Sequence, residues 1–171
     1  MSFLNIEIKA RCADPSFIRD YLLSNGAEYA GTDEQTDTYF NSRRGRLKLR
    51  EGNIENNLIY YERSNEKGPK LSTFNLIPVT DSSLLKEVVE KSCGIKAIIK
   101  KKREIYYIRN VKFHIDTVEG LGSFIEIEAG NVKEDLNEYE LRNQCEHYLK
   151  EFKIDPEKLV EISYADMLLG D

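Results

Sequence analysis

The sequence predicts an α+β domain of about eight strands bearing a strongly ionic face, with three or four helices. Three observations lead there. Apolar residues alternate with polar ones along most of the chain. Helical spacing is confined to three internal stretches and the tail. The polar half of each alternating stretch is rich in Lys, Arg, Glu and Asp, where a merely solvated face more often mixes in Ser, Thr and Gln. No linker rich in Pro, Gly or Ser divides the chain, so residues 1–171 read as one domain, and 171 residues suffice for a sizeable core.

Residues 3–11 form the first expected strand, with Leu4, Ile6 and Ile8 on one face and Asn5, Glu7 and Lys9 on the other. Asp14 reads as a helix N-cap with Pro15 at the first helical position; Phe17, Ile18, Tyr21 and Leu22 follow at helical spacing until Asn25-Gly26. Strands are expected at 28–41, 46–51, 58–64 and 71–79, with a polar hairpin loop over 52–57. Asp81 caps a second helix whose buried stripe would be Leu84, Leu85, Val88 and Val89. Alternation resumes at 96–109, 111–118 and 123–129. A third helix at 134–152 has an apolar face of Leu136, Tyr139, Leu141, Cys145, Tyr148, Leu149 and Phe152, and 163–169 is a short amphipathic helix or turn.

Composition excludes several classes. Apolar residues make up 40% and charged residues 32%, with ten Tyr and seven Phe, which is too aromatic for a disordered chain. No apolar run approaches the roughly 18 residues of a membrane span, so no membrane partner is expected. MSFLNIEIKAR places charge where a secretory signal carries its apolar stretch, so the expected location is cytoplasmic. A net charge of −5 argues against a dedicated nucleic-acid binder. The run Lys100 to Arg103 alternates between strand faces and makes no dense external patch. Cys12, Cys93 and Cys145 have no metal-ligand spacing and read as reduced thiols.

The charges have an order. Glu7 and Lys9 share a face, as do Arg46, Lys48 and Arg50, Lys101 and Arg103, His114 and Asp116, and Glu126 and Glu128, while Arg63 sits near the end of the fourth strand. Acids cluster on the first and last strands and bases on the middle ones. In a sheet closed on itself these side chains would share a lumen with an acidic and a basic wall. Carboxylates two residues apart are hard oxygen ligands suited to Mg²⁺ or Mn²⁺. Facing Lys and Arg bind phosphate oxygens through charge-assisted hydrogen bonds. The pattern describes a polyphosphate and metal site.

These residues resemble the CYTH family, the triphosphate tunnel metalloenzymes. Asn5 to Lys9 is similar to its ExExK motif, Gln35 to Phe40 to QxDxYF, and Leu47 to Arg50 to LRxR. Tyr60 to Arg63 with Gly68-Pro69-Lys70 and Ser72 resembles YxR…GPK…S, and Ile99 to Tyr106 resembles VxKxRxxY. His114 to Glu128 resembles HxDxVxxLGxFxExE, and Ser163 to Leu168 the SYxDLL of the class IV adenylate cyclase branch. The resemblance implies an eight-stranded antiparallel β-barrel forming a triphosphate tunnel with helices packed outside. It implies a metal site of Glu7, Asp116, Glu126 and Glu128 for Mg²⁺ or Mn²⁺. It assigns triphosphate binding to Lys9, Lys48, Arg50, Arg63, Lys101 and Arg103, and chemistry to Glu7, Lys9 and Asp116. The expected substrate is a nucleoside triphosphate or an inorganic or organic triphosphate. The expected reaction is conversion of ATP to cyclic AMP and pyrophosphate; the alternatives are triphosphate hydrolysis and binding without turnover. The branch is compatible with a homodimer. Two positions depart from the pattern: Asn5 replaces the first glutamate of ExExK with a neutral, weaker ligand, and Lys48 stands where many members have Arg.

Overall fold

A computed structural model describes residues 3–170. In chain order these form β1 (Phe3–Arg11), α1 (Ser16–Ser24), β2 (Glu28–Phe40), β3 (Arg46–Glu51), β4 (Asn57–Arg63), β5 (Lys70–Pro78), α2 (Ser82–Cys93), β6 (Ile95–Ile108), β7 (Val111–Val118), β8 (Gly122–Gly130), α3 (Glu138–Glu151), a 3-10 turn at Pro156–Lys158 and α4 (Tyr164–Leu169). The eight strands close into an antiparallel barrel in the order β1-β5-β4-β3-β2-β6-β7-β8. The first strand closes it, pairing with both β5 and β8.

The apolar half of the alternation decides which way the charges point. Ile6 and Ile8 of β1, Val111, Phe113 and Ile115 of β7, and Ile125 and Ile127 of β8 are buried on the outside of the barrel with Ile18 and Leu22 of α1 and Leu141, Cys145 and Phe152 of α3. Each such apolar side chain stabilises the fold by about 1.5–3 kcal/mol relative to an exposed one. With the apolar faces fixed outward beneath the helices, period two turns Glu7, Lys9, His114, Asp116, Glu126 and Glu128 inward. A second buried cluster contains Tyr39, Tyr61, Phe124 and Tyr164.

Three expectations need correction. Pro15 is itself the cap position of α1 and Ser16 the first helical residue; Asp14 lies one residue outside and accepts hydrogen bonds from the Ser16 amide (3.0 Å) and hydroxyl (2.6 Å). The stripe on α2 is not buried: the helix has no buried residue, and Leu84 and Val88 are 58% and 53% exposed. Its Asp81 cap forms as expected, accepting from the Leu84 amide, but the helix lies against β2 and β3 through only part of its surface. On α3 the capping box of Asn137 and Glu140 starts the helix at Glu138, and Tyr139 in that first turn is 73% exposed. No helix among the described residues is long and apolar enough to cross a membrane.

Candidate active site

The barrel encloses a cavity of about 300 Å³. Among the described residues, nine basic side chains line it against four acidic ones, in a chain whose net charge is −5. The register sets them in tiers. Glu7 lies opposite Glu128, which lies opposite Lys112, which lies opposite Tyr107. One tier further in, Lys9 lies opposite Glu126 and Glu126 opposite His114.

Glu126 is the centre of the acidic wall. It accepts from Arg103 Nη2 at 2.7 Å, lies 3.1 Å from His114 Nδ1 and pairs with Lys9 Nζ at 3.3 Å. Burial alone would raise its carboxyl, but Arg103 and Lys9 outweigh burial and hold it well below the usual carboxylate range. Glu128 accepts from Asn5 Nδ2 at 3.3 Å, so Asn5 steadies a carboxylate in place of adding one. Ligand atoms of His114, Glu126 and Glu128 lie within 4.8 Å of one another, close enough to share one cation. Burial and Arg103 lower the pKa of His114, leaving a neutral imidazole at pH 7. Its Nε2 is buried without a hydrogen-bond partner. The two carboxylates suit a hard divalent ion such as Mg²⁺ or Mn²⁺, and an imidazole beside them favours the transition metal of that pair.

The other two predicted acids, Glu7 and Asp116, are not among the ligand atoms that converge here. Glu7 lines the cavity with its carboxylate against Arg63. Asp116 is fully buried outside the cavity lining, forked by Arg103 (2.7 and 2.5 Å) and hydrogen-bonded by the Tyr164 hydroxyl at 2.8 Å. Arg63 is held on one side by Glu7, yet its Nε and Nη2 are buried and donate to nothing. Unsatisfied buried donors cost about 1–3 kcal/mol each, which an anion in the cavity would offset.

The basic wall is organised by an acid. Asp37, fully buried on β2, accepts from Arg50 Nε (2.9 Å) and Nη2 (2.8 Å) and from Lys101 Nζ (2.7 Å), with Lys48 Nζ at 3.4 Å. These cations overcome burial and keep Asp37 ionised far below its ordinary pKa. Burial together with Arg103 pushes Lys101 down to about 7 despite Asp37.

Sequence reasoning assigned no role to four contributors. Asp37 stood within a matched motif, inward by alternation with Gln35 and Tyr39. Tyr164, from the segment after α3, brings its ring centroid to 3.8 Å from Lys9 Nζ and 5.6 Å from Lys101 Nζ. Lys112, inward by the same alternation as His114, pairs with Glu55, a residue of the hairpin loop that carries no periodic signal. The six predicted phosphate-binding bases all line the cavity. Arg46 points elsewhere, pairing with Asp166 at 3.2 Å.

Comparison with known proteins agrees with the barrel. Relatives that bear the name "putative adenylate cyclase" include two of similar length. One, from Methanocaldococcus jannaschii, is 26% identical over 182 residues, covering 96% of this chain and 98% of that one. The other, a solved structure from Vibrio parahaemolyticus, is 17% identical with a TM-score of 0.74, covering 97% of this chain and 98% of that one. A conserved hypothetical protein from Pyrococcus furiosus shares the fold at a TM-score of 0.80 and 24% identity, covering 95% and 98% of the two chains. The CYTH domain model matches residues 4–162, nearly the whole barrel and the segment after α3, and the chain belongs to that family.

Proposed function

We propose that this chain is a divalent-metal-dependent enzyme that binds a nucleoside triphosphate along the tunnel and converts ATP to cyclic AMP and pyrophosphate. The observation that carries the reading is the excess of nine cavity-lining bases over four cavity-lining acids, three of which, Glu7, Glu126 and Glu128, lie on the adjoining strands β1 and β8. The name of the relatives supports the cyclase form of it. Glu126 and Glu128, with His114 beside them and Glu7 one strand away, would hold Mg²⁺ or Mn²⁺, which supplies Lewis-acid polarisation of a phosphoryl oxygen.

In this reading Lys48, Arg50 and Lys101 hold the phosphates from the Asp37 side, and Arg63 and Arg103 from the Glu7 and Asp116 sides. The ribose 3′-oxygen attacks the α-phosphorus, the bond from that phosphorus to the β-bridging oxygen breaks, and pyrophosphate leaves. Glu7 orients the attacking hydroxyl and accepts its proton. Lys9, held between Glu126 and the Tyr164 ring, steadies charge on the departing oxygen. Asp116 reaches the substrate only through Arg103, whose fork it fixes. The test is incubation with Mg²⁺ or Mn²⁺ and, in parallel, ATP, thiamine triphosphate and tripolyphosphate. Cyclic AMP with pyrophosphate is the expected product. Orthophosphate alone would make the chain a triphosphatase, and tight binding without product a non-catalytic module.

Lys101 gives the reading a second, independent check. Free, it loses its proton near pH 7, whereas an unfolded lysine does so near 10.4. The unfolded state therefore binds more protons across that window, and this group makes the free protein more stable as pH rises through it. Phosphate charge opposes the depression, so binding at pH 8–9 should take up about one proton. Calorimetric titration in buffers of different ionisation enthalpy reads that uptake. Identical heats would show that Lys101 does not face the phosphates.

A further inference from the structure

Among the described residues, Glu55 is the one cavity-lining acid that comes from a loop, and the structure builds a platform for it. Asp33, fully buried on β2, accepts from the backbone amides of Ile54 and Glu55, each at 2.9 Å. Gln35 Nε2 donates both to Asp33 (2.8 Å) and to Glu55 (3.1 Å). Gly52 opens the loop against the same carboxylate: a Cβ there would meet Asp33 Oδ1 at 2.5 Å, so a side chain would disrupt the seat. On this seat the Glu55 carboxylate pairs with Arg50 Nη1 at 3.0 Å and with Lys112 Nζ. Lys112 belongs to the outer tier of Glu7, Glu128 and Tyr107, and that end of the cavity also carries Leu76 and Val132.

We infer that Glu55 sets substrate class at the mouth of the tunnel, admitting the organic end of a nucleoside triphosphate and disfavouring a free terminal phosphate. This rests on the triphosphate reading above. The phosphate of ATP nearest the mouth is joined to the ribose by an ester and to the next phosphate by an anhydride, which leaves it one charge; that of tripolyphosphate is a terminal group with up to two charges. Glu55 neutralises the two cations that would hold the extra charge and sets a fixed carboxylate beside it. An uncharged sugar meets no such repulsion and finds acceptor oxygens and the apolar rim.

Calorimetric dissociation constants for ATP and tripolyphosphate with Mg²⁺, measured on the full chain, decide it. The wild type should prefer ATP. Glu55→Gln, which keeps the backbone contacts to Asp33, should tighten tripolyphosphate by about tenfold and ATP by less than about threefold. Lys112→Met should weaken tripolyphosphate more than ATP and should shrink the gain in the Glu55→Gln background to the share that Arg50 carries. Binding of both ligands with an unchanged ratio in Glu55→Gln would overturn the inference alone. Binding of neither by the wild type would remove the triphosphate reading and this inference with it.

Discussion

Glu126→Ala combined with Glu128→Ala should lower kcat for triphosphate conversion by at least about a thousandfold, the rate equivalent of roughly 4 kcal/mol. The size follows from what the two side chains hold. Glu126 contacts Lys9, Arg103 and His114 at once, and Glu128 completes the three-residue group around which a cation fits. The barrel should survive, because Arg103 keeps its fork to Asp116 and the outward neighbours Ile125 and Ile127 keep their packing. Mn²⁺ titration followed by electron paramagnetic resonance should show the binding lost in the double variant, with circular dichroism unchanged. Retained Mn²⁺ affinity would move the metal elsewhere and sink the assignment.

Asp37→Ala should cost about 3–5 kcal/mol of folding stability, the range for removing one partner from a buried ionic cluster. Three cations converge on this one carboxylate, and all sit on neighbouring strands β3 and β6. Without it, Arg50 keeps Glu55, but Lys48 and Lys101, which both reach its Oδ2, are left close together with no acid between them. Urea unfolding reads the loss; less than about 1 kcal/mol would mean that Lys101 escapes by shedding its proton. Acid should act in the same direction. Asp37, Asp116 and Glu126 all have pKa values held below their ordinary ones. Their contribution is complete above the unfolded carboxylate values near 4 and is lost as pH falls toward the folded ones. Acid unfolding should therefore begin below about pH 4 and shift upward in Asp37→Asn.

Much of this architecture is legible in the sequence because two periodicities barely overlap in it. The eight strands end within a residue or two of where alternation ends, and the ionic face points inward because Ile6, Ile8, Ile125 and Ile127 must point outward. Alternation states a direction but neither a depth nor a neighbour. It turned both Asp116 and Glu126 inward, yet only Glu126 reaches the cavity, because Arg103 and Tyr164 stand in front of Asp116. It also could not foresee that β1 lies beside β5. Leu84 and Val88 show the reverse failure: helical spacing marks a face, but only a packed neighbour buries it. Glu55 lies in a loop, where no period exists to read.

The segment after α3 crosses back to the first strand: Leu159 bridges Ala10, the Val160 amide donates to the Lys9 carbonyl, and Tyr164 then reaches Asp116. Lys9 of β1 and Tyr164 of α4, far apart in the chain, meet in one contact. On the ribosome, β2 to β5 can pair as hairpins while the chain is still growing, but this end of the tunnel stays unassembled until residue 164 has emerged. A nascent chain stalled before that point would carry its interior lysines and arginines without their final partners. The same cations that suit the finished tunnel to a polyanion would then be open to any polyanion nearby, including the ribosome's own RNA.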